Sequence, residues 1–407
     1  MNNALIKEYT ATVLAFGFRD ETVAPPTPPA TAPADPAETA AFAERSLRIL
    51  DKSRGETLVL FGLGDGEHAL ALAAGLPESA RLIVCETATA TARAFLAAHP
   101  EWNGRDARTL VLADTSPWAH IYVLAMSGVR PDNAALALNP SLDGDERARY
   151  RNLQRLFGSA KPHQAINSSY LSHVGVQAPD LSVGVILAPD EPDLDGFFAQ
   201  FPDWVKEVVV AWDAAAVPER DIACAAPVRH LARPLDDFAA QRNHVLGHCE
   251  GDWVLFLDGD ERFSEDVWGL LTACMLVKRL TACWFPRMTL YPDETRCKAG
   301  YGLWPDLQLR LFRNEDGVRF TRPVHERLTG VTGRTALVLD APILHYSRLR
   351  KSPDALAAKL ERFDAASGGR IRHVLSDDYP TIPRALLSEA TFLVGSLSML
   401  LLEENPA

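Results

Sequence analysis

Short apolar runs and helix-like stretches alternate along most of the chain. Between residues 37 and 158, the strand-like runs TLVLFGLG, RLIVCET and TLVLAD are separated by the helix-like stretches EHALALAAGL and ATARAFLAAH. Strands that alternate with helices in this way indicate βαβ units and a parallel sheet. A second series of the same kind begins at Leu181 and runs through SVGVILA and EVVVAWD to WVLFLDGDE. The pattern predicts an α/β fold with two Rossmann-like, doubly wound modules.

The two ends of the chain do not show this alternation of strand-like and helix-like segments. Residues 23–36 (VAPPTPPATAPADP) predict an extended Pro-rich linker. Before it, TATVLAFGF is either a strand that pairs with a neighbouring sheet or a loosely docked arm. Near the other end, the apolar stretch ATFLVGSLSMLLL predicts a core, docking or interfacial helix, or a homodimer contact. We expect an arm and linker at 1–36, a Rossmann-like accessory domain at 37–175, a second α/β domain at 176–350, and a helical extension at 351–407.

Three acids follow the last strand of the second series. The run Trp253 to Leu257 is apolar without interruption, which suits a strand buried on both faces of a parallel sheet. Asp258, Asp260 and Glu261 come directly after it, at the end of the strand that faces the ligand crevice in open α/β sheets. Carboxylates crowded in this way repel each other unless a positive charge lies among them. A divalent cation is the simplest candidate.

The elements around these acids resemble the nucleotide-binding half of glycosyltransferase family 2 enzymes, which have the GT-A fold. The resemblance covers about residues 181–350 and includes the strand EVVVAWD, the helix with AAQRNHV and the DxD strand, in the family's order. It implies that Asp213 binds the nucleotide base and that Arg242 reaches the base or the diphosphate. It also implies that Asp258 contacts ribose or a metal-bound water and that Asp260 binds Mn²⁺ or Mg²⁺. The alternatives are a structural cap at Asp213, a helix-surface ion pair of Arg242 with Asp237 or Glu250, and a solvated turn at the acids.

A second informative segment, WPDLQLRLFRNEDGVRFTRPVHERL, occupies residues 304–328. Two strand-like runs flank its NEDG loop, so we expect a hairpin in which Asp306 lies opposite His325. This segment resembles the acceptor side of the same family, which implies a catalytic base at Asp306 or, as the second choice, at Glu326. His325 completes the metal shell, touches the diphosphate or is a structural histidine, and His345 is a comparable candidate.

The first module has a glycine-rich turn of its own. Gly62, Gly64 and Gly66 lie at a strand-to-helix junction, and Glu86 ends the next strand. A turn of this kind admits a phosphate or ribose, and such an acid can hold ribose hydroxyls. The stretch resembles class I methyltransferases and, loosely, motility accessory factor modules. The alternative, which we favour because no downstream catalytic motif accompanies the turn, is a tight turn in a Rossmann-like domain that binds nothing.

The net charge and the cysteine pattern of the chain argue against several classes of function. A net charge of −12 argues against sequence-independent binding to nucleic acid, and the six cysteines form no CxxC pair that would indicate a zinc site. The sequence contains no uninterrupted run of about 18 apolar residues, so it predicts no membrane-spanning helix. We therefore expect a protein of the reducing cytoplasm.

Taken with the resemblance, these features predict a metal-dependent, inverting glycosyltransferase. Its donor would be a nucleotide-diphosphate sugar, with a UDP-sugar expected first, and its acceptor a hydroxyl of a saccharide, lipid or protein. The alternatives are an S-adenosylmethionine-dependent methyltransferase acting through the first module, and a non-catalytic protein that binds nucleotide sugars or docks a partner.

Overall fold

The computed structural model describes residues 3–16, 35–53, 55–166, 178–322, 326–351, 378–388 and 396–402. The helices in these ranges are α1 (Asn3–Ala15), α2 (Pro36–Lys52), α3 (Glu67–Ala74), α4 (Thr89–Ala98), α5 (Pro117–Met126), α6 (Gly144–Ser159), α7 (Leu194–Phe198), α8 (Phe238–Leu246), α9 (Glu265–Met275), α10 (Ser347–Arg350) and α11 (Arg384–Ser388).

The strands in the same ranges are β1 (Thr57–Phe61), β2 (Arg81–Glu86), β3 (Thr109–Ala113), β4 (Ala134–Leu138), β5 (Lys161–Ile166), β6 (Leu181–Leu187), β7 (Glu207–Trp212), β8 (Val228–Ala232), β9 (Trp253–Asp258), β10 (Glu261–Arg262), β11 (Leu280–Thr289), β12 (Arg296–Lys298), β13 (Asp306–Arg313), β14 (Arg319–Thr321), β15 (Arg327–Thr329), β16 (Arg334–Val338), β17 (Ile343–His345), β18 (Thr381–Pro383) and β19 (Ser396–Leu402).

The described residues divide into two compact units. Unit 1 comprises those within Met1–Lys161, Lys298–Pro305 and Tyr379–Thr391, and unit 2 those within Pro162–Cys297, Asp306–Asp378 and Phe392–Ala407. Each unit contains neighbouring parallel strands and several helices along the chain between its strands, so the predicted α/β fold is confirmed. No helix among the described residues has the length and apolar character needed to cross a bilayer.

Unit 1 is built on a four-stranded sheet in the order β3-β2-β1-β4. All of its strand pairs are parallel, and the residues of β1 and β2 are buried throughout. Strands buried on both faces read as continuous apolar runs, which explains the sequences TLVLF and RLIVCE. The order places β1 at the centre, where its carboxyl end leads into the glycine-rich turn and α3.

The N-terminal segment is a helix in unit 1, so the expectation of a strand there is wrong. In α1, Leu5, Ile6, Tyr9 and Val13 are buried. Their spacing of one, three and four residues is that of one face of a helix. The β-branched residues in TATV favoured a strand locally, but this buried face decides the conformation.

Unit 2 is built on a longer sheet in the order β5-β19-β16-β11-β13-β9-β6-β7-β8, to which β10 and β17 add a further pair. Strands β9, β6, β7 and β8 are parallel neighbours, whereas β13 runs antiparallel to β9. Side chains of β9 alternate between two apolar clusters, with Leu255 and Leu257 in one cluster and Val254 and Phe256 in the other. The expectation that this strand is buried on both faces is therefore confirmed.

The predicted hairpin over 304–328 is wrong. Strand β13 lies between β11 and β9 in the sheet, and β14 pairs with β15 instead. Asp306 therefore lies opposite Arg287. The predicted partner, His325, lies outside the described residues. The buried Leu311 and Phe312 place β13 inside the sheet, and a local apolar pattern does not distinguish such a strand from one arm of a hairpin.

The predicted helix over residues 390–402 is also wrong where the structure describes it. Residues Ser396–Leu402 form β19, which pairs antiparallel with β16, and Leu400 lies opposite Leu337. Six of its seven residues are buried. A short apolar run is compatible with a buried strand or a buried helix, and pairing with β16 selects the strand. Residues 352–377, for which we also expected a helix, lie outside the described residues.

A buried carboxyl in unit 1 makes the stability of that unit depend on pH. Asp114 follows β3 and is completely buried. Its Oδ2 accepts a hydrogen bond from the Tyr9 hydroxyl at 2.5 Å, and its Oδ1 accepts one from the Ser116 N–H at 2.7 Å. Burial raises the pKa of Asp114 to about 6, although these hydrogen bonds oppose the shift. Between about pH 4 and pH 6, the folded state therefore retains a proton that the unfolded state loses.

We expect the Asp114 carboxyl to contribute a fall of about 3 kcal/mol in the free energy of unfolding as the pH rises from about 4 to about 6. Asp114→Asn should remove this contribution because amide groups do not titrate, whereas the contributions of other buried carboxyls with raised pKa values, Glu86 and Asp340, should remain. The measurement is chemical denaturation at several pH values, followed by far-UV circular dichroism. Asp132→Asn, which changes an exposed acid of the same unit, should leave the fall intact. Parallel pH curves for wild type and Asp114→Asn would contradict this assignment.

Candidate functional site

The acids singled out in the sequence lie at the carboxyl edge of the parallel part of the unit 2 sheet. Strand β7 ends at Trp212, next to Asp213, and β9 ends at Asp258. Asp260 follows in the turn to β10, which begins at Glu261. Because β6, β7 and β9 are parallel, their carboxyl ends meet at the edge where α/β proteins bind ligands.

Four acids and three arginines alternate in a continuous series of ion pairs in unit 2. We call this series the arginine–carboxylate ladder, and its members, in order, are Glu326, Arg242, Asp258, Arg310, Glu261, Arg287 and Asp306. The arginines come from α8, β13 and β11, so elements far apart in the sequence meet at the strand ends. With all groups ionised, the ladder has four negative and three positive charges and a net charge of −1.

The first half of the ladder surrounds Asp258. Arg242 donates from Nε to Glu326 Oε1 at 2.5 Å and from Nη2 to Asp258 Oδ1 at 2.8 Å. Arg310 donates from Nη2 to the other oxygen of Asp258, Oδ2, at 2.6 Å. The guanidinium of Arg242 also lies 5.5 Å from the centres of the Phe256 and Phe320 rings, which exclude water from it. Each carboxylate oxygen of Asp258 is therefore held by a different arginine.

The second half of the ladder joins Arg310 to Asp306. Glu261 Oε1 accepts from Arg310 Nη2 at 2.6 Å and from Arg287 Nη1 at 3.2 Å. Arg287 also donates from Nε and Nη2 to Asp306 Oδ2, at 2.9 and 2.5 Å. Asp306 Oδ1 accepts from Gln308 Nε2 at 2.8 Å. Glu261 thus connects the arginine of Asp258 with the arginine of Asp306.

The arginines of the ladder keep Asp258 ionised. Burial raises the pKa of the Asp258 carboxyl, but the guanidinium groups of Arg310 and Arg242 outweigh burial and hold that pKa well below its usual range. Burial lowers the pKa of Arg310, and the carboxylates of Asp258 and Glu261 in turn raise it above the ordinary value. Opposite charges in a partly dehydrated environment stabilise each other's ionised forms in this way. At neutral pH, Asp258 and Arg310 therefore form a fully charged pair.

Asp260 points to a different set of partners. Lys351 Nζ lies 3.0 Å from Asp260 Oδ2 and 2.6 Å from Glu191 Oε1. His345 Nε2 lies 3.5 Å from Asp260 Oδ1, and His345 Nδ1 lies 2.9 Å from Thr289 Oγ1. Burial lowers the pKa of Lys351, but Asp260 and Glu191 raise it above its usual value. The two aspartates of the DxD motif therefore lie in separate environments.

Asp260 and His345 are the pair whose donor atoms fit a divalent cation. The tautomer in which His345 Nδ1 donates to Thr289 leaves a lone pair on Nε2, on the side of Asp260. Within the described ranges, no three His, Cys, Asp or Glu side chains are grouped as a metal site. Mg²⁺ is commonly held by only one or two carboxylates together with substrate phosphates. The residues thus fit a cation that takes its remaining ligands from a bound substrate.

The remaining predicted site residues are placed as follows. Asp213 is partly exposed, and its Oδ1 accepts from the Leu235 N–H at 2.7 Å. Its role with a nucleotide base stays a prediction. Arg242 is buried and binds Asp258 and Glu326, so it is not the helix-surface charge of the alternative interpretation. The structure brings Asp258, Asp306 and Glu326 into one ladder.

Sequence reasoning missed two cations of the site. Arg287 is the one charged residue in the apolar strand sequence LTACWFPRMT, and this isolated charge is the signal that would have singled it out. Lys351 lies in a charged stretch, RLRKS, that offers no comparable signal. The sequence also left the orientation of Arg310 open, and the structure turns it towards Asp258 and Glu261.

The glycine-rich turn of unit 1 is filled by side chains of its own unit. Gly62, Gly64 and Gly66 all have positive φ angles, of 87°, 58° and 90°, which L-residues rarely adopt. A Cβ atom added at Gly62 would lie 2.6 Å from the Leu142 side chain, and one at Gly64 would lie 2.3 Å from Ser141 Oγ. Gly62 and Gly64 are thus needed for close packing of the turn against the loop after β4.

Glu86 is also bound within unit 1. Its Oε2 accepts from the Leu63 N–H at 2.8 Å, and its Oε1 accepts from the Ala88 N–H at 2.6 Å and from the Tyr150 hydroxyl. Burial raises the pKa of Glu86 above its usual value, although these hydrogen bonds oppose the shift. Both carboxylate oxygens that would hold a ribose therefore bind the protein.

Removing the central arginine of the ladder should destabilise the protein strongly. We expect Arg310→Met to cost about 3 to 5 kcal/mol, because Glu261 is completely buried and loses one of its two arginine partners. Arg220→Met is the control: Arg220 forms a surface pair with Asp195, so its loss should cost less than about 1 kcal/mol. Chemical denaturation followed by circular dichroism measures both. Equal costs would mean that the ladder adds nothing to stability.

One family model matches the part of the chain that contains the ladder. Residues 198–328 match the model of glycosyl transferase family 2. A TPR repeat-containing protein of Synechococcus elongatus is 30% identical over 154 residues, which cover 38% of this chain and 36% of that protein. The chain thus spans about a third of the length of this curated relative.

Solved structures with some likeness include crystal structures of S. aureus TarS 1–349. The complex with UDP-GlcNAc has a TM-score of 0.29 at 14% identity, covering 46% of this chain and 66% of that one. The complex with UDP has a TM-score of 0.25 at 17% identity. The match covers 35% of this chain and 50% of the TarS chain. TM-scores below 0.5 do not define a common fold, so these structures assign neither a fold nor an activity to this chain. All seven ladder residues lie within the segment that matches the model of glycosyl transferase family 2.

Proposed function

We propose that unit 2 is a metal-dependent, inverting glycosyltransferase that moves a sugar from a nucleotide-diphosphate sugar to a hydroxyl of a saccharide, lipid or protein acceptor. The observation that carries this proposal is the ladder itself. It connects the acids at the end of β9 with Asp306 and Glu326, all within the family 2 segment. A transferase must hold the groups that bind the donor at a fixed position relative to the groups that bind the acceptor. The ladder connects the two sets of groups.

On the donor side, we assign Asp258 to the nucleotide and Arg242 to the support of Asp258. The Asp258 side chain keeps 35% of its surface exposed although both oxygens bind arginines. Each carboxylate oxygen has two lone pairs, so Asp258 can still accept hydrogen bonds from ribose hydroxyls. Asp213, at the end of the parallel strand β7, is our candidate for the nucleotide base.

We assign the cation site to Asp260 and His345. When bound there, Mn²⁺ or Mg²⁺ would neutralise the negative charge of the departing nucleoside diphosphate. Asp260 accepts a hydrogen bond from Lys351, whose ammonium group shields its charge. His325, the ligand predicted from the sequence, lies outside the described residues, and its role stays a prediction.

On the acceptor side, we assign the catalytic base to Asp306 in preference to Glu326. Asp306 keeps 32% of its side chain exposed, compared with 18% for Glu326. Arg287 binds only Oδ2 of Asp306, and Oδ1, which accepts from Gln308, retains a lone pair for the acceptor proton. Inversion needs one base on the sugar face opposite the leaving nucleotide, and this carboxylate would supply it.

Ligand-dependent thermal stability distinguishes this proposal from its alternatives. With UDP at about 100 times its dissociation constant and Mn²⁺ present, we expect the melting temperature to rise by about 5 to 10 °C. Asp260→Asn should abolish this rise. Asp252→Asn, at the opposite end of β9, is the matched control and should preserve it. The same titrations with GDP and with S-adenosylmethionine, each with and without Mn²⁺, complete the experiment.

Stabilisation by S-adenosylmethionine alone would overturn the proposal in favour of a methyltransferase. No response to any of these ligands would favour a docking protein. Slow hydrolysis of a panel of nucleotide sugars, followed by release of the nucleotide, identifies the donor.

The choice of base is tested by two amide variants. We expect Asp306→Asn to lower kcat by about 100- to 10,000-fold, because the amide accepts no proton from the acceptor, while donor KM stays nearly unchanged. Glu326→Gln should lower kcat less. Steady-state kinetics with the donor found in the hydrolysis screen measures both. A larger loss of kcat in Glu326→Gln would reverse the assignment.

A further inference from the structure

We propose that Glu261, the third acid of the DGDE sequence, is a positioning residue that fixes the distance between the donor-side Asp258 and the candidate base Asp306. This inference rests on the proposed transferase function and adds a role for a residue that touches neither substrate. Each of the three acids would then have a separate role. Asp258 would bind the nucleotide, Asp260 would bind the cation, and Glu261 would align Asp258 with Asp306.

The contacts of Glu261 lead to both sides of the site. Its side chain is completely buried. Oε1 accepts from Arg310, which also binds Asp258, and from Arg287, which also binds Asp306. Oε2 accepts from the backbone N–H of Asp258 at 3.1 Å. One carboxylate therefore holds Asp258 by its backbone and through Arg310, and holds Asp306 through Arg287.

The connecting groups are stiff. A guanidinium is planar and presents its donors in a fixed fork, so Arg287 sets the relative positions of the two acids that it bridges. The backbone adds a second constraint, since β10 pairs with β17 and Glu261 lies opposite His345. The strand that supplies the candidate cation ligand is thus aligned with the same residue.

The charge of Glu261 is needed to keep this arrangement together. Arg310 and Arg287 both donate to the single atom Oε1, so their positive charges are close and repel each other. An ionised Glu261 offsets this repulsion. Without the negative charge, the two guanidinium groups would separate, and Arg287 would carry Asp306 away from Asp258. Misplacement of a reacting group by about 1 Å can slow catalysis about 100-fold.

Kinetics of Glu261→Gln beside a matched buried glutamate tests the proposal. Glu207 begins β7 at the opposite end of the sheet, is buried, and pairs with Arg229. Glu261→Gln and Glu207→Gln should both lower the melting temperature. In the folded state, Glu261→Gln should lower kcat about 100-fold with donor KM within about threefold of wild type. Glu207→Gln should leave kcat within about twofold of wild type.

A kcat for Glu261→Gln as close to wild type as that of Glu207→Gln would overturn the proposal. So would a loss confined to donor KM, because that would make Glu261 a binding residue. If Glu261→Gln does not fold, Arg287→Lys replaces it. The lysine keeps the charge but loses the fork, so the same selective loss of kcat is expected, and an unchanged kcat would overturn the proposal.

The two proposals fail in different ways. A wild-type protein that transfers and hydrolyses no nucleotide sugar contradicts the transferase function, and the role of Glu261 fails with it. An active wild type with an unaffected Glu261→Gln variant contradicts the role of Glu261 alone.

Discussion

The site in unit 2 depends on the alternation of charge along the arginine–carboxylate ladder. Four carboxylates at one edge of a sheet would repel each other and would resist burial. Three arginines from α8, β11 and β13 separate them, so that each acid lies next to a cation. Burying such pairs is costly in desolvation, and the cost is offset only when every charge has well-placed partners. The ladder meets this condition at Glu261 and Arg242, which are among its most buried members.

Charge alternation also changes how the DGDE sequence is understood. The sequence alone pointed to a divalent cation among the acids as the source of positive charge. In the structure, arginines hold both oxygens of Asp258 and one oxygen of Glu261, whereas Asp260 lies beside Lys351 and His345. Acids two residues apart can therefore have separate tasks, one within a fixed ion-pair network and the other beside groups that a cation could join.

The two units show that sheets with the same strand order can differ in whether their strand ends are open to a ligand. Unit 1 has the order β3-β2-β1-β4, and the parallel part of unit 2 has the corresponding order β8-β7-β6-β9. In unit 1, however, the glycine-rich turn packs against Ser141 and Leu142, and Glu86 binds backbone N–H groups of its own unit. A fold supplies positions at strand ends, and the side chains there decide what those positions can do.

The sequence by itself determined the α/β class, the buried strand before the acids and the edge of the sheet at which those acids lie. These features follow from local patterns, because apolar runs report burial and parallel strands share one carboxyl edge. Only the tertiary structure decided that the N-terminal segment is α1, that SLSMLLL is β19, that β13 lies between β9 and β11, and that three arginines partner the acids. Strand neighbours and ion-pair partners are chosen by residues distant in the sequence. Arg287 and Glu261 are 26 positions apart and Arg242 and Glu326 are 84 apart, so no local pattern contains their pairing.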